Sequence, residues 1–309
     1  MRGREIIEIE PGAAGTGPVS SAGDDGGASP GTQPSLLLDG GADSSPLGVP
    51  TDDCSDASKL VYVVSRDNGL YSFAPATVTF TQVGTIACPS ESSEFPFSMA
   101  VDRSGTAWVL FTDGNLFNVS TKDATCTRTT FIPNQAGFSL FGMGFVSDGP
   151  DASTDTLYVS ENVNGNGLGQ IAIPSLTLTA VGPYTGTLAG QKAELTGNGE
   201  GDLYGFFFTT PAQVASITKT SGAVSTANPL PSVDVGTDWA FSYWGGAFYL
   251  YTGNSTDPSQ NGSTVTRYDP EDGGVTVLST GIGFFVDGAG VSTCAPTVAP
   301  TPPSPPTPH

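Results

Sequence analysis

Histidine is almost missing from this sequence. The chain has 309 residues and a single His, at the last position. That removes Ser-His-Asp and Cys-His nucleophilic schemes, and every His-ligated metal site, from the folded part. Basic residues are scarce as well: 10 Lys+Arg stand against 30 Asp+Glu, a net charge of −20. A nucleic acid or an anionic membrane needs a Lys/Arg surface, so neither is an expected partner. No apolar run reaches the roughly 18 residues of a transmembrane helix. No apolar stretch of a signal peptide follows the basic Met1-Arg2-Gly3-Arg4; Glu5, Glu8 and Glu10 come instead. Taken literally, that start implies the cytoplasm. The low Lys content, the Thr/Ser/Gly/Asn richness and the four Cys imply an exported protein, secreted or tethered to an envelope or surface, whose signal is not in the sequence as given.

What is abundant is Gly (41) and Pro (25). Residues 1–53 are an acidic Gly/Ser/Pro-rich tract broken only by Leu36-Leu37-Leu38. Such a tract cannot bury enough apolar surface to offset its ordering entropy, and a disordered linker is expected. Residues 295–309 alternate Pro with Thr and Ser, the composition of an extended, polyproline-like tail.

Between them a repeat organises residues 54–294. An apolar-aromatic strand recurs as Val61-Tyr62-Val63, Ala107-Trp108-Val109, Leu157-Tyr158-Val159, Leu203-Tyr204-Gly205 and Phe248-Tyr249-Leu250. The aromatics are 46, 50, 46 and 45 residues apart, the period of one propeller blade. A second alternating strand and a third, Thr-rich strand follow each. Before four of them lies a strand ending in a Gly turn, at 97–102, 141–147, 193–199 and 239–244. Each repeat reads as four antiparallel strands, A to D, and no window shows helical periodicity. The first repeat lacks its A strand; residues 282–287 supply one at the far end of the chain. The expected fold is therefore an all-β, five-bladed β-propeller closed by pairing of N- and C-terminal strands, which removes an open edge.

Cys54 and Cys294 flank this closure, so a bridge between them is geometrically sensible, leaving Cys88 with Cys126 in adjacent blades. Four Cys allow three pairings, and four reduced thiols are the competing reading. No two Cys are close enough in sequence for a CxxC metal site, and no metal or other cofactor is expected.

Met99-Ala100-Val101-Asp102-Arg103-Ser104-Gly105-Thr106-Ala107-Trp108-Val109 resembles the repeat of NHL-type and streptogramin-lyase-like propellers, and Phe284-Phe285-Val286-Asp287-Gly288-Ala289-Gly290 resembles its first half. The resemblance implies a fold, not an activity; the lyases' catalytic His has no counterpart here.

By fold-level analogy, ligands bind at the channel mouth on the face made by D–A and B–C loops. Those loops carry Arg66, Asp67, Glu94, Glu161, Asn162, Tyr184, Asp238 and Trp239 as candidate ligand-binding residues. Their carboxylates, amides and aromatics suit sugar hydroxyls or a peptide better than an anion. The expected role is a monomeric recognition module for a glycan or a protein ligand. A glycosidase using Glu94, Glu161 or Asp238 is the alternative, disfavoured because the A strands read as apolar or neutral. A structural surface spacer is a third reading. Asp102, Asp148, Glu200 and Asp287 are expected at A–B turns as backbone acceptors. Asp148, Asp151 and Asp155 form a weak Ca²⁺ candidate.

Overall fold

The structure is a computed structural model that describes residues 54–90, 93–150 and 152–300. The linker expected over 1–53, residues 301–309 of the tail, and Asp151 lie outside the described residues. These contain twenty strands, three short 3-10 turns and no α-helix.

The strands form five four-stranded antiparallel sheets. Blade 1 contains β1 (Val61–Ser65), β2 (Gly69–Ala74) and β3 (Thr79–Thr85). Blade 2 contains β4 (Pro96–Val101), β5 (Thr106–Phe111), β6 (Leu116–Ser120) and β7 (Cys126–Arg128). Blade 3 contains β8 (Phe141–Ser147), β9 (Asp155–Glu161), β10 (Leu168–Ala172) and β11 (Thr177–Gly182). Blade 4 contains β12 (Ala193–Gly197), β13 (Leu203–Phe207), β14 (Ala212–Ile217) and β15 (Val224–Leu230). Blade 5 contains β16 (Asp238–Trp244), β17 (Ala247–Gly253), β18 (Thr264–Tyr268) and β19 (Val275–Ser279). The last strand, β20 (Val286–Val291), returns to pair with β1 as the inner strand of blade 1.

This closure corrects one register. The sequence pattern placed the final A strand at 282–287 with Asp287 in its closing turn. Instead Tyr62 pairs with Gly290 and Ser65 with Val286, so Asp287 opens the strand at the opposite end of the channel. The Gly288-Ala289-Gly290 run, which looked like a turn, is strand. Its glycines permit close approach: a Cβ on Gly288 would lie 2.9 Å from the Met99 nitrogen of β4, and one on Gly290 2.9 Å from Ala100.

The core explains the repeat. There are five buried apolar clusters, one between each pair of neighbouring blades. Tyr62 lies between blades 1 and 2, and Trp108 between 2 and 3. Tyr158 lies between blades 3 and 4, Tyr204 against the cluster between 4 and 5, and Tyr249 between 5 and 1. The recurring aromatic thus always packs on the following blade. Directly across the sheet from each of them the inner strand carries a small residue: Gly290, Ala100, Gly144, Thr196 and Ser242. Large aromatics hold the blades apart where the wedge is wide, and small residues let the inner strands converge on the axis.

Both expected disulfides are present. Cys54–Cys294 spans 240 residues with Cα atoms 5.6 Å apart, beside the ring closure. Cys88–Cys126 spans 38 residues and joins the segment that follows β3 of blade 1 to β7, the outer strand of blade 2. The beginning of the tail is not free: the Gly245 N–H donates to the Pro296 carbonyl and the Tyr243 hydroxyl to that of Thr297.

Candidate functional site

The two ends of the channel differ. At the A–B-turn end, Arg103 of blade 2 pairs with Asp155 of blade 3 at 2.8 Å, and Thr293 donates to the same carboxylate. Asp148 accepts the Thr154 and Thr156 hydroxyls. These carboxylates are therefore engaged by protein groups, and no group of three metal-ligating side chains occurs among the described residues. Asp102 accepts from the Ser104 and Thr106 backbone and from the Trp108 indole, the turn-fixing role its position suggested.

At the other end lies a cavity of about 240 Å³. Phe95, Phe97 and Trp239 give it aromatic walls; Arg66, Glu194 and Asp287 give it ionisable groups. Arg66 is held on three sides. Its guanidinium lies 4.1 Å from the Phe95 ring centroid, 2.7 Å from Asp238 and 3.4 Å from Asp287. Ring face and carboxylates together fix a long flexible side chain in one place.

The carboxyls are unequal. Burial alone would raise the Asp238 pKa, but the Thr237 and Ser255 donors outweigh it and hold this carboxyl below the usual range. Asp287 is pushed up to about 8, first by burial, then by the Asp238 charge, with Arg66 opposing. Within the pair, Asp287 is the carboxyl whose environment favours the proton and Asp238 the one whose environment favours the anion. Glu194 is 2% exposed and raised well above the carboxylate range, chiefly by burial. It rises from β12, yet its carboxylate accepts the Ser98 hydroxyl of β4 at 2.7 Å, reaching past β8 across the channel. The bare Gly142 of β8 makes room, since a Cβ there would lie 3.0 Å from the Glu194 carboxyl carbon.

Three inner strands thus bring carboxyls to this end, where the sequence pattern read those strands as apolar or neutral. Of the expected site residues, Arg66 and Trp239 line the cavity and Asp238 braces Arg66 from behind. Trp239 packs against Phe206 and Phe208. Glu94 accepts from Thr112, a cavity wall, and Asp67 is exposed beside Arg66 in sequence. Glu161 is fully buried and accepts the Val163, Asn164 and Asn166 N–H groups, so its carboxylate braces the next loop. The Asn162 side-chain amide is buried without a hydrogen-bond partner, while its backbone N–H donates to the Leu140 carbonyl. Tyr184 packs on Phe207 inside the cluster between blades 3 and 4, away from the cavity walls. Glu194 and Asp287 were absent from the expected set. One signal for Glu194 lay in the sequence: it is the one charged residue of the inner strand read at 193–199.

The sequence matches no family model and no curated protein. Among solved structures, the chain is similar to a protein of unknown function from Bacteroides caccae, at 11% identity over 74% of this chain and 84% of that one, with a TM-score of 0.42. It is similar to a structural genomics protein of unknown function from Bacteroides thetaiotaomicron, at 12% identity over 75% of this chain and 62% of that one, with a TM-score of 0.46. The Dos1 propeller is similar at 10% identity over 74% of this chain and 70% of that one, with a TM-score of 0.41. Likeness at this level carries nothing about activity. The strand topology itself makes the chain a five-bladed β-propeller.

Proposed function

We propose that this is an extracytoplasmic recognition module that takes a neutral sugar unit of a glycan in the Arg66–Glu194–Trp239 cavity. The observation that carries it is the pairing of aromatic walls with two buried carboxyl groups, Glu194 and Asp287, in one recess. Ring faces accept the C–H face of a pyranose, and a protonated carboxyl both donates to and accepts from hydroxyls. The Arg66 charge is already balanced by Asp238, which disfavours an anionic ligand. Two disulfides suit an oxidising compartment. No described helix is long and apolar enough to cross a membrane, and the exposed large apolar residues are scattered singly, which suits a monomer. Binding to an immobilised glycan array by the full chain, lost in Trp239→Ala and Arg66→Ala, tests the reading; an unchanged binding profile in both variants rejects it.

The same carboxyls favour a second reading, hydrolysis of a glycoside, because carboxyls whose pKa is raised by burial are suited to act as general acids. Glu94 and Glu161 do not fit that role, being engaged with Thr112 and with loop N–H groups. Reducing-sugar release that disappears in Glu194→Gln and Asp287→Asn would support it; binding without release supports the module.

A further inference from the structure

The cavity does not stand alone. Three further recesses open on the same D–A and B–C face, and each shares walls with the next. A recess of about 940 Å³ over blade 5 shares Thr237 with the cavity. It shares Asp234 and Gly236 with one of about 530 Å³ between blades 4 and 5. That recess shares Phe208, Thr209 and Thr210 with a fourth, of about 550 Å³, that reaches Gln191 and Thr187. We propose that the four are one crescent-shaped groove that holds an extended neutral oligosaccharide, with one unit of the chain seated in the cavity. The proposal rests on the sugar reading of the cavity and names what lies beyond it.

The lining chemistry points to that occupant. The recess over blade 5 and the fourth recess present hydroxyls and amides, among them Thr187, Gln191, Asn261 and Thr280. The one between them adds Ser232 and Thr210 to largely apolar walls of Phe208, Pro231 and Val233 that suit the C–H faces of sugar rings. No Lys or Arg lines any of the three, and Asp234 and Asp257 are the charged groups there. An anionic polymer would find no counter-charge, whereas a polyhydroxylated chain finds donors and acceptors along its length. Lys192 does not change this, because its ammonium lies 4.1 Å from the Phe208 ring centroid and is not a wall. A hydrophobic peptide would need deep apolar pockets at alternate residues; the largest recess is the most polar in its residues.

The test uses the full chain and purified ladders of cello-, xylo-, manno- and malto-oligosaccharides, from monosaccharide to octasaccharide. Saturation-transfer NMR reads the short members and calorimetry the long ones. For one ladder, affinity should rise at least about tenfold from mono- to hexasaccharide, about 1.4 kcal/mol. Ser232→Leu and Ser259→Leu, both at exposed groove positions, should abolish that gain and leave monosaccharide contact intact. Trp239→Ala should abolish both. Affinity independent of length, with Trp239→Ala still destroying binding, overturns the groove and spares the cavity. Binding of no ladder member, or preference for polygalacturonate or for a peptide over all of them, overturns both.

Discussion

At the scale of the residue, the channel mouth sets carboxyls against their ordinary chemistry. Asp287 holds its proton more tightly in the fold than in the open chain. As pH rises from about 4, the unfolded carboxyl ionises while the folded one does not, so stability falls until about pH 8, where both are ionised. Asp238 runs the other way: its depressed pKa supplies stability above the ordinary carboxylate value, lost as acid titrates it in the fold. Asp287→Asn keeps a donor for Asp238 and should flatten the decline between pH 4 and 8. The thermal midpoint at pH 8 should rise, at about 2–4 °C per kcal/mol for a domain of this size. Denaturation midpoints across pH check this; an unaltered slope refutes it. Arg66→Ala leaves Asp238 buried without its cation and should cost about 2–4 kcal/mol by denaturant titration. Glu161→Gln should cost about 1–3 kcal/mol and speed hydrogen exchange of the Val163 to Asn166 amides, because a carboxylate accepting three N–H groups becomes a weaker acceptor.

At the scale of the element, the strands were readable from their period and the inner-strand chemistry was not. Tyr62, Trp108, Tyr158, Tyr204 and Tyr249 announced the blades because each solves the same packing problem at a wedge between neighbours. The start of β20 was misread because glycine is ambiguous in one dimension. Gly288 and Gly290 can mean a turn or a crowded strand, and only the approach of β4 decides. Glu194 escaped notice because a charge inside an apolar strand makes sense only once Ser98 is seen opposite it. Crowding of the inner strands is itself testable. A Cβ on Gly142 would lie 2.3 Å from the Ala193 carbonyl oxygen, whereas one on Gly149 meets nothing within 4 Å. Gly142→Ala should destabilise by about 1–3 kcal/mol or more, with Gly149→Ala close to neutral; equal midpoints for the two variants would show that the axis has room to spare.

At the scale of the whole molecule, closure decides stability. The bridge between Cys54 and Cys294 spans 240 residues, and the chain-entropy model assigns a loop of that size roughly 5 kcal/mol, against about 4 kcal/mol for the 38-residue loop of Cys88–Cys126. The paired substitution Cys54→Ser/Cys294→Ser should therefore cost at least as much as Cys88→Ser/Cys126→Ser in urea titrations, and non-reducing peptide maps of the parent chain should find both links. Ring count and closure followed from the period, since topology is a long-range consequence of it; the two pairings were favoured by the place of Cys54 and Cys294 beside that closure, among three that four Cys allow. The long loops of one face were readable in the sequence, but the residues lining its central recess were not, because they come from all five blades and meet only around the axis.

Because the inner strand of blade 1 is the last strand of the propeller to be synthesised, the ring stays open until residues 286–291 have been made. Cys54, made first, must wait as an unpaired thiol for a partner made some 240 residues later. A chain truncated before β20 would leave blade 1 one strand short and the Cys54 sulfur without its native mate.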